Sequence, residues 1–260
     1  MHYLLLYFLR FVGRKTLQFI YESGSAFILF FKSLRALRFI YKDRRLVVEQ
    51  MLHIGVRSLP LVITVGIFTG AVSAWQAAYQ FKGFLPLSFV GPATAKAIFI
   101  ELGPVLTALV LAGRVGASIA AELGSMKVTE QIDALETLAI DPIRFLSMPR
   151  IVAATTMMPI LVIFSDFIAL IGAFMVSNLL LHISTEVFFN GVKEYFVLYD
   201  LMSGLVKALV FGATTAIAGC YIGFQTTGGA EGVGRATIKA FVVSSALILM
   251  NDYILAMFLF

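Results

Sequence analysis

A chain of 260 residues in which 60% are apolar and only 13% charged lies far from the composition of soluble domains. Its mean hydropathy of +0.93 excludes an ordinary globular enzyme and points to helices that cross a bilayer repeatedly. The net charge of +5 does not indicate nucleic-acid binding, because nine of the twenty Lys and Arg residues precede residue 46 beside apolar sequence, where they read as a flank facing anionic lipid.

Residues 3–31 are apolar but interrupted by Arg10, Arg14, Lys15 and Glu22. The charges follow the apolar run instead of preceding it, and no small-residue cleavage site is evident, which excludes a signal peptide. An amphipathic helix lying in the inner interface is the expectation, with arginines at headgroup level. A further span around Ser25–Phe31 is the alternative, and that run is short for one. Whether residues 16–31 span or lie in the interface is open at this point.

The first clear span is read as Ile54 to about Tyr79, with Pro60 and a Gly66–Gly70 pair at GxxxG spacing that favours close helix packing. Trp75 and Tyr79 sit where an aromatic belt belongs. A loop over Gln80–Thr94 follows, with Pro86 and Pro92. Spans two and three are read as Ala95–Ala121 and Ile151–Leu181. A short helix is expected within His182–Asp200, then span four over Leu201–Phe224 and span five over Thr237–Leu259. The predicted fold is thus an all-α integral membrane protein with five transmembrane helices, in one domain over 1–260: an N-terminal segment 1–50 and a membrane core 54–259.

Orientation follows from charge. Fifteen Lys and Arg fall on the N-terminal side and three, Lys82, Lys96 and Lys193, on the other. This positive-inside bias places the N-terminus in the cytoplasm and the C-terminus outside.

Motifs for chemistry are lacking. Gly229–Ala236 has phosphate-loop glycine spacing, but carries Arg235 and Ala236 where lysine and a hydroxyl belong, and reads as a flexible turn. His2, His53 and His182 are too scattered for a metal site. The single cysteine, Cys220, allows no internal disulfide. No hydrolase set shares a membrane depth, so the chain is expected to be no enzyme and to draw energy from another protein.

Ionisable residues inside the spans are expensive and default to functional hypotheses. Glu101 and Lys207 each lie six residues from the outer end of their span, and Asp252 seven or eight. At ~1.5 Å per residue all three sit roughly 10 Å below the outer interface. They suit a polar patch handling a lipid headgroup, an ion-paired network between packed helices, or a proton relay. Asp166, near mid-membrane in span three, has no evident role. Arg114, toward the inner end of span two, is placed to reach headgroups or a helix C-terminus.

Between spans two and three, Lys127–Ala139 sets Val128, Ile132, Leu135 and Ala139 against Glu130, Gln131, Asp133 and Glu136. That pattern predicts an amphipathic helix of three to four turns, ended before Pro142. Its acidic face is repelled by the inner leaflet, which favours docking on a soluble protein, with Lys127 at its start.

ELGPVLTALVLAGRVGASIAAELGSMKVTEQIDAL, followed by AIDPIRFLSMPR, resembles the signature region of the MlaE family of ABC-transporter permeases, and the closing segment Gly234–Thr237 is similar as well. The resemblance implies a homodimer enclosing a phospholipid cavity open to the periplasm of a diderm cell, in the bacterial inner membrane. It implies ABC ATPase subunits that bind ATP and Mg, none being held by this chain, and that engage the helix at 127–139. A periplasmic MCE-domain protein and a small STAS-domain accessory protein complete the implied partners. By position, Glu101, Lys207 and Asp252 match cavity or network residues, and Arg14 and Arg235 match basic positions near the inner face, where Arg114 also lies. An ion-coupled secondary transporter using Glu101, Lys207 and Asp252 is the rival function, and the internal repeats such transporters show are absent here.

Overall fold

The computed structural model describes residues 2–83 and 85–260, and side chains other than those of residues 2–12, 18 and 19. Its helices are α1 (His2–Ala36), α2 (Arg44–Ile54), α3 (Leu59–Phe81), α4 (Val90–Ala97), α5 (Gly103–Leu111), α6 (Ala117–Val128), α7 (Gln131–Thr137), α8 (Met148–Leu179), α9 (Thr185–Tyr195), α10 (Leu198–Phe224) and α11 (Gly229–Leu259). Among the described residues five helical segments are long and apolar enough to cross a membrane: Arg44–Phe81, Leu87–Val128, Ile143–Leu179, Leu198–Phe224 and Gly229–Leu259. The all-α, five-span architecture expected from the sequence is therefore present. The spans run several residues beyond the sequence boundaries because the helices continue past the apolar stretch.

Several prolines open helices instead of closing them, while Pro159 lies inside α8. Pro60 lies in the first turn of α3 and Pro92 in the first turn of α4, where the missing N–H has no intrahelical acceptor to lose. Pro142 likewise begins the turn Ile143–Ser147 that leads into α8.

The spans close on one another through small residues. The Gly66–Gly70 pair faces α8, and a Cβ on Gly70 would stand 1.7 Å from the Ala169 carbonyl oxygen. No larger residue fits while α3 and α8 keep this distance. α10 is the most enclosed span and α11 the least. Val62, Ala108, Leu111, Leu161, Val162, Phe211 and Ile248, all buried, join the spans into a shared core.

α1 is not among the membrane-crossing segments. Its charges Arg14, Lys15, Glu22, Lys32 and Arg35 interrupt every long apolar window. The stripe Leu29, Ser33 and Ala36 is buried against the body, with the Ser33 and Ser147 hydroxyls 3.3 Å apart, while Phe27 and Phe31 point outward. The junction after α1 is fixed by Arg144. Its guanidinium donates to both Asp43 oxygens, at 2.7 and 3.0 Å, and lies 4.0 Å from the centre of the Phe39 ring. That two-pronged contact ties the start of α2 to the start of span three.

Two local expectations are corrected. The helix read over Lys127–Ala139 is broken: Lys127 and Val128 end α6, and α7 covers only Gln131–Thr137. The Thr129 hydroxyl donates back to the Ser125 carbonyl at 2.8 Å, and Glu130 takes a left-handed conformation, φ 61°, that no helix can pass through. The glycine-rich segment is not a turn either. Left-handed Gly228 starts α11, and Glu231 in its first turn suits the positive end of the helix.

Candidate functional site: a buried ion triad and the segment below it

Glu101 stands in a widened, π-type turn, Ile98–Leu102, in which the Gly103 N–H reaches back to the Ile98 carbonyl. Pro104 accounts for the widening: it has no N–H for the Ile100 carbonyl, and its ring would clash with a tight turn there. Across from this turn, Gly204 of α10 lies so close that a Cβ would be 2.1 Å from the Phe99 carbonyl oxygen. The close approach delivers Lys207, nearly one turn further along α10, to the Glu101 carboxylate.

The three residues that share a depth in the sequence meet in space. Lys207 Nζ is 2.6 Å from Glu101 Oε2 and 2.8 Å from Asp252 Oδ1. Lys207 is fully buried, the Asp252 side chain is 13% exposed and the Glu101 side chain 45% exposed. The cation is sealed while one of its acids stands at an open edge. Asp252 holds Lys207 on the enclosed side and Glu101 holds it on the open side. Beside the triad, Asn251 donates to the Thr214 hydroxyl at 3.0 Å.

Toward the outer end, Asp200, nearly buried, pairs with Lys96 at 3.5 Å. The sequence places Asp200 at the end of the connecting segment His182–Asp200, whereas it stands in the first turn of α10. Its spacing of seven residues from Lys207, on one face of α10, was the available signal. Asp166 does not join the triad. It is buried against the other side of span two, where a Cβ on Gly103 would touch its Oδ1 at 1.7 Å, and neither carboxylate oxygen has a hydrogen-bond partner among the described residues.

The segment at the opposite end of span two is half anchored. Ile132 is 3% exposed and Leu135 packs beside it on the core. The apolar face expected to enter a partner's groove is therefore covered by this chain's own helices. What faces outward is mostly polar, with the acids Glu130, Asp133 and Glu136 beside Gln131, and Leu138 70% exposed at its end. Lys127 bonds Asp133 at 2.7 Å across the break, and Gln131 donates to the Thr129 hydroxyl at 3.1 Å. A cavity of about 440 Å³ lies between this segment, α1 and the end of α10, lined by Leu29, Lys32, Ile132, Glu136 and Tyr221. One turn inward, Glu122 accepts from the nearly buried Arg150 at 3.0 Å, which also donates to the Leu146 carbonyl at 2.8 Å. In the sequence Arg150 is counted only among the fifteen basic residues of the N-terminal side.

The basic residues read as inner-face positions have separate settings. Arg14 is exposed on α1, Arg235 pairs with Glu231 one turn earlier at 3.5 Å, and Arg114 donates to the Ser58 hydroxyl. Among the described residues no group of His, Cys, Asp and Glu could hold a metal ion.

Five apolar helices packed around a sealed cation, with an acidic segment projecting from one end, define an integral membrane subunit of the transporter kind. Comparison with known proteins narrows this. The Permease MlaE family matches residues 47–258. A probable ABC transporter permease protein of Rickettsia typhi is 43% identical over 252 residues, 96% of either chain. The intermembrane phospholipid transport system permease protein MlaE of Haemophilus influenzae is 32% identical over 254 residues, 97% of either chain. The chloroplastic protein TRIGALACTOSYLDIACYLGLYCEROL 1 of Arabidopsis thaliana is 34% identical over 212 residues, 82% of this chain and 61% of that one. The chain belongs to the MlaE family of ABC-transporter permeases.

Proposed function

We propose that this chain is the membrane subunit of an ATP-driven transporter that moves phospholipid between the inner and outer membranes of a diderm cell. Two copies would face each other across the Glu101 edge and enclose the lipid path. The observation that carries the reading is the asymmetry of the triad: a sealed lysine holds a carboxylate at 2.6 Å that is itself 45% exposed on an otherwise apolar surface. A structural ion pair alone has no need to present one member outward. Exposed Met202, Met250, Met257 and Phe258 on α10 and α11 offer acyl chains an adaptable apolar wall. Two acids beside one lysine suit a headgroup that carries an ammonium as well as a phosphate. The name of the Haemophilus influenzae relative supports phospholipid as the substrate class.

The energy would come from an ABC ATPase subunit, which binds ATP and Mg, acting on the acidic outward side of α7. Buried Ile132 keeps that segment seated, so a push there reaches α6 and, through Glu122 and Arg150, span three. Span two is jointed, with π-type turns at Ile98–Leu102 and Ala112–Gly116. Motion would arrive at Glu101 as a change at these joints rather than as the shift of one stiff rod. With the N-terminus cytoplasmic, as fifteen basic residues against three favour, the Glu101 end lies toward the periplasm. An MCE-domain protein would receive lipid there, and a STAS-domain protein would accompany the ATPase.

A photo-crosslinking amino acid at position 101 tests the lipid path in living cells. A phospholipid adduct on the chain is expected. Adducts to protein only would show that Glu101 faces a protein contact and would overturn the assignment.

A further inference from the structure

Among the cations of the spans that are not exposed to solvent, all but one are matched to acids. Lys207 has Glu101 and Asp252, and Arg150 has Glu122. Arg114 has only the uncharged Ser58 hydroxyl, and among the described residues no carboxylate lies within ion-pair distance of it. A guanidinium carries five N–H donors, so one hydroxyl leaves most of them unused. An unpaired charge at a membrane boundary is costly unless something else answers it.

Arg114 lines a cavity of about 120 Å³ together with His53, Ile54, Val115, Ser118 and Ile119. That is room for a phosphate group. The π-type turn Ala112–Gly116 carries the arginine, and the cavity sits at the joint where α2 gives way to the short turn Val56–Ser58 before α3. The Ser58 hydroxyl itself donates to the Ile54 carbonyl at 2.5 Å, so the arginine's anchor is fixed in turn.

Depth identifies the phosphate's source. Arg114 is thirteen residues from Glu101, roughly 20 Å along the helix. Glu101 lies about 10 Å from the far interface, which puts Arg114 at the near edge of a ~30 Å hydrocarbon core, where lipid phosphates begin. Leu52 and Val56 flank His53 and are 56% and 52% exposed, providing an apolar strip beside the cavity for an acyl chain.

We propose that Arg114, with His53, binds the phosphate of a phospholipid from the leaflet on the α7 side. This site is separate from the Glu101 path and needs neither the ATPase nor a lipid cavity at Glu101, so either assignment can fail alone.

The test uses the full-length chain in nanodiscs containing phosphatidylglycerol, with native mass spectrometry after release into detergent. Arg114→Gln keeps a donor for Ser58 and removes the charge. It is expected to retain phosphatidylglycerol about tenfold less strongly than the unaltered chain, as loss of a charge-assisted contact implies. Ser58→Ala removes the tie and keeps the charge, and is expected to retain the lipid. His53→Ala is expected to weaken retention while the protein stays monodisperse, which keeps the test open if Arg114→Gln misfolds. Diacylglycerol with the same chains is expected to bind neither form.

Equal retention by Arg114→Gln and the unaltered chain would overturn the proposal. So would saturation of the site by inorganic phosphate with no lipid attached, which would mark a free-anion site. A change in oligomeric mass without a change in lipid count would show that Arg114 meets a carboxylate of a second copy, and would overturn it as well.

Discussion

Replacing Lys207 with methionine separates the structural part of the triad from the part that touches substrate. The side chain is fully buried, so methionine fills much of the same volume and removes only the charge. What remains is two carboxylates with unequal access to water. Asp252, 13% exposed, loses its only ion-pair partner and has little solvent to replace it, whereas Glu101, 45% exposed, can turn outward. Stranding one member of a buried pair costs about 3–5 kcal/mol, and nearly all of that should fall on Asp252. Glu101→Gln leaves the Lys207–Asp252 pair at 2.8 Å intact and should cost no more than about 1 kcal/mol. For a domain of this size ~1 kcal/mol corresponds to about 2–4 °C in melting temperature. Thermal unfolding in detergent should therefore place Lys207→Met roughly 6–20 °C below the unaltered protein and Glu101→Gln within about 4 °C of it. Adding Asp252→Asn to Lys207→Met should recover much of the loss. An unchanged melting temperature for Lys207→Met, or an equal loss for both single variants, would refute the division of roles.

Charge reversal of Glu130 and Asp133 to lysine should abolish co-purification with the ATPase and leave the melting temperature nearly unchanged, since the exposed Lys127–Asp133 pair contributes at most about 1 kcal/mol; retained co-purification would remove α7 as the docking element. Ile132→Ala deletes a buried anchor and should cost about 2–4 kcal/mol of local stability, read as faster hydrogen exchange over residues 125–141. Exchange unchanged there would mean that the segment is held by something else. Gly70→Val places atoms where the Ala169 carbonyl already lies and should prevent accumulation of folded protein, measured by size-exclusion chromatography of the tagged chain. A normal monodisperse peak would contradict the α3–α8 contact.

The spans and the triad were legible in the sequence because both rest on counting along helices. Apolar length gives the spans, and depth in residues put Glu101, Lys207 and Asp252 at one level before any contact was known. The break after Val128 was not legible. Left-handed backbone usually announces itself by glycine or asparagine, and here a glutamate adopts it, held by the Thr129 hydroxyl and the packing of Ile132. Glycines misled in the opposite direction at Gly229–Gly234, where helix forms because the left-handed turn is confined to Gly228 and Gly229. The buried pairings of Asp200 and Arg150 are not visible in the sequence because their partners, Lys96 and Glu122, lie on other helices. Such pairings depend on helix rotation, which one-dimensional spacing does not contain.

The central claim is that ATP hydrolysis by a partner drives phospholipid past Glu101. Its most direct test is transfer of a fluorescent phospholipid out of proteoliposomes holding this chain with the proposed ABC ATPase and MCE-domain protein, with the proton and sodium gradients collapsed by ionophores. The account predicts transfer that requires ATP, persists without ion gradients and falls at least about tenfold in Glu101→Gln, the effect of losing a single charged contact. Transfer that stops with the ionophores and proceeds without ATP would contradict it and establish an ion-coupled transporter instead.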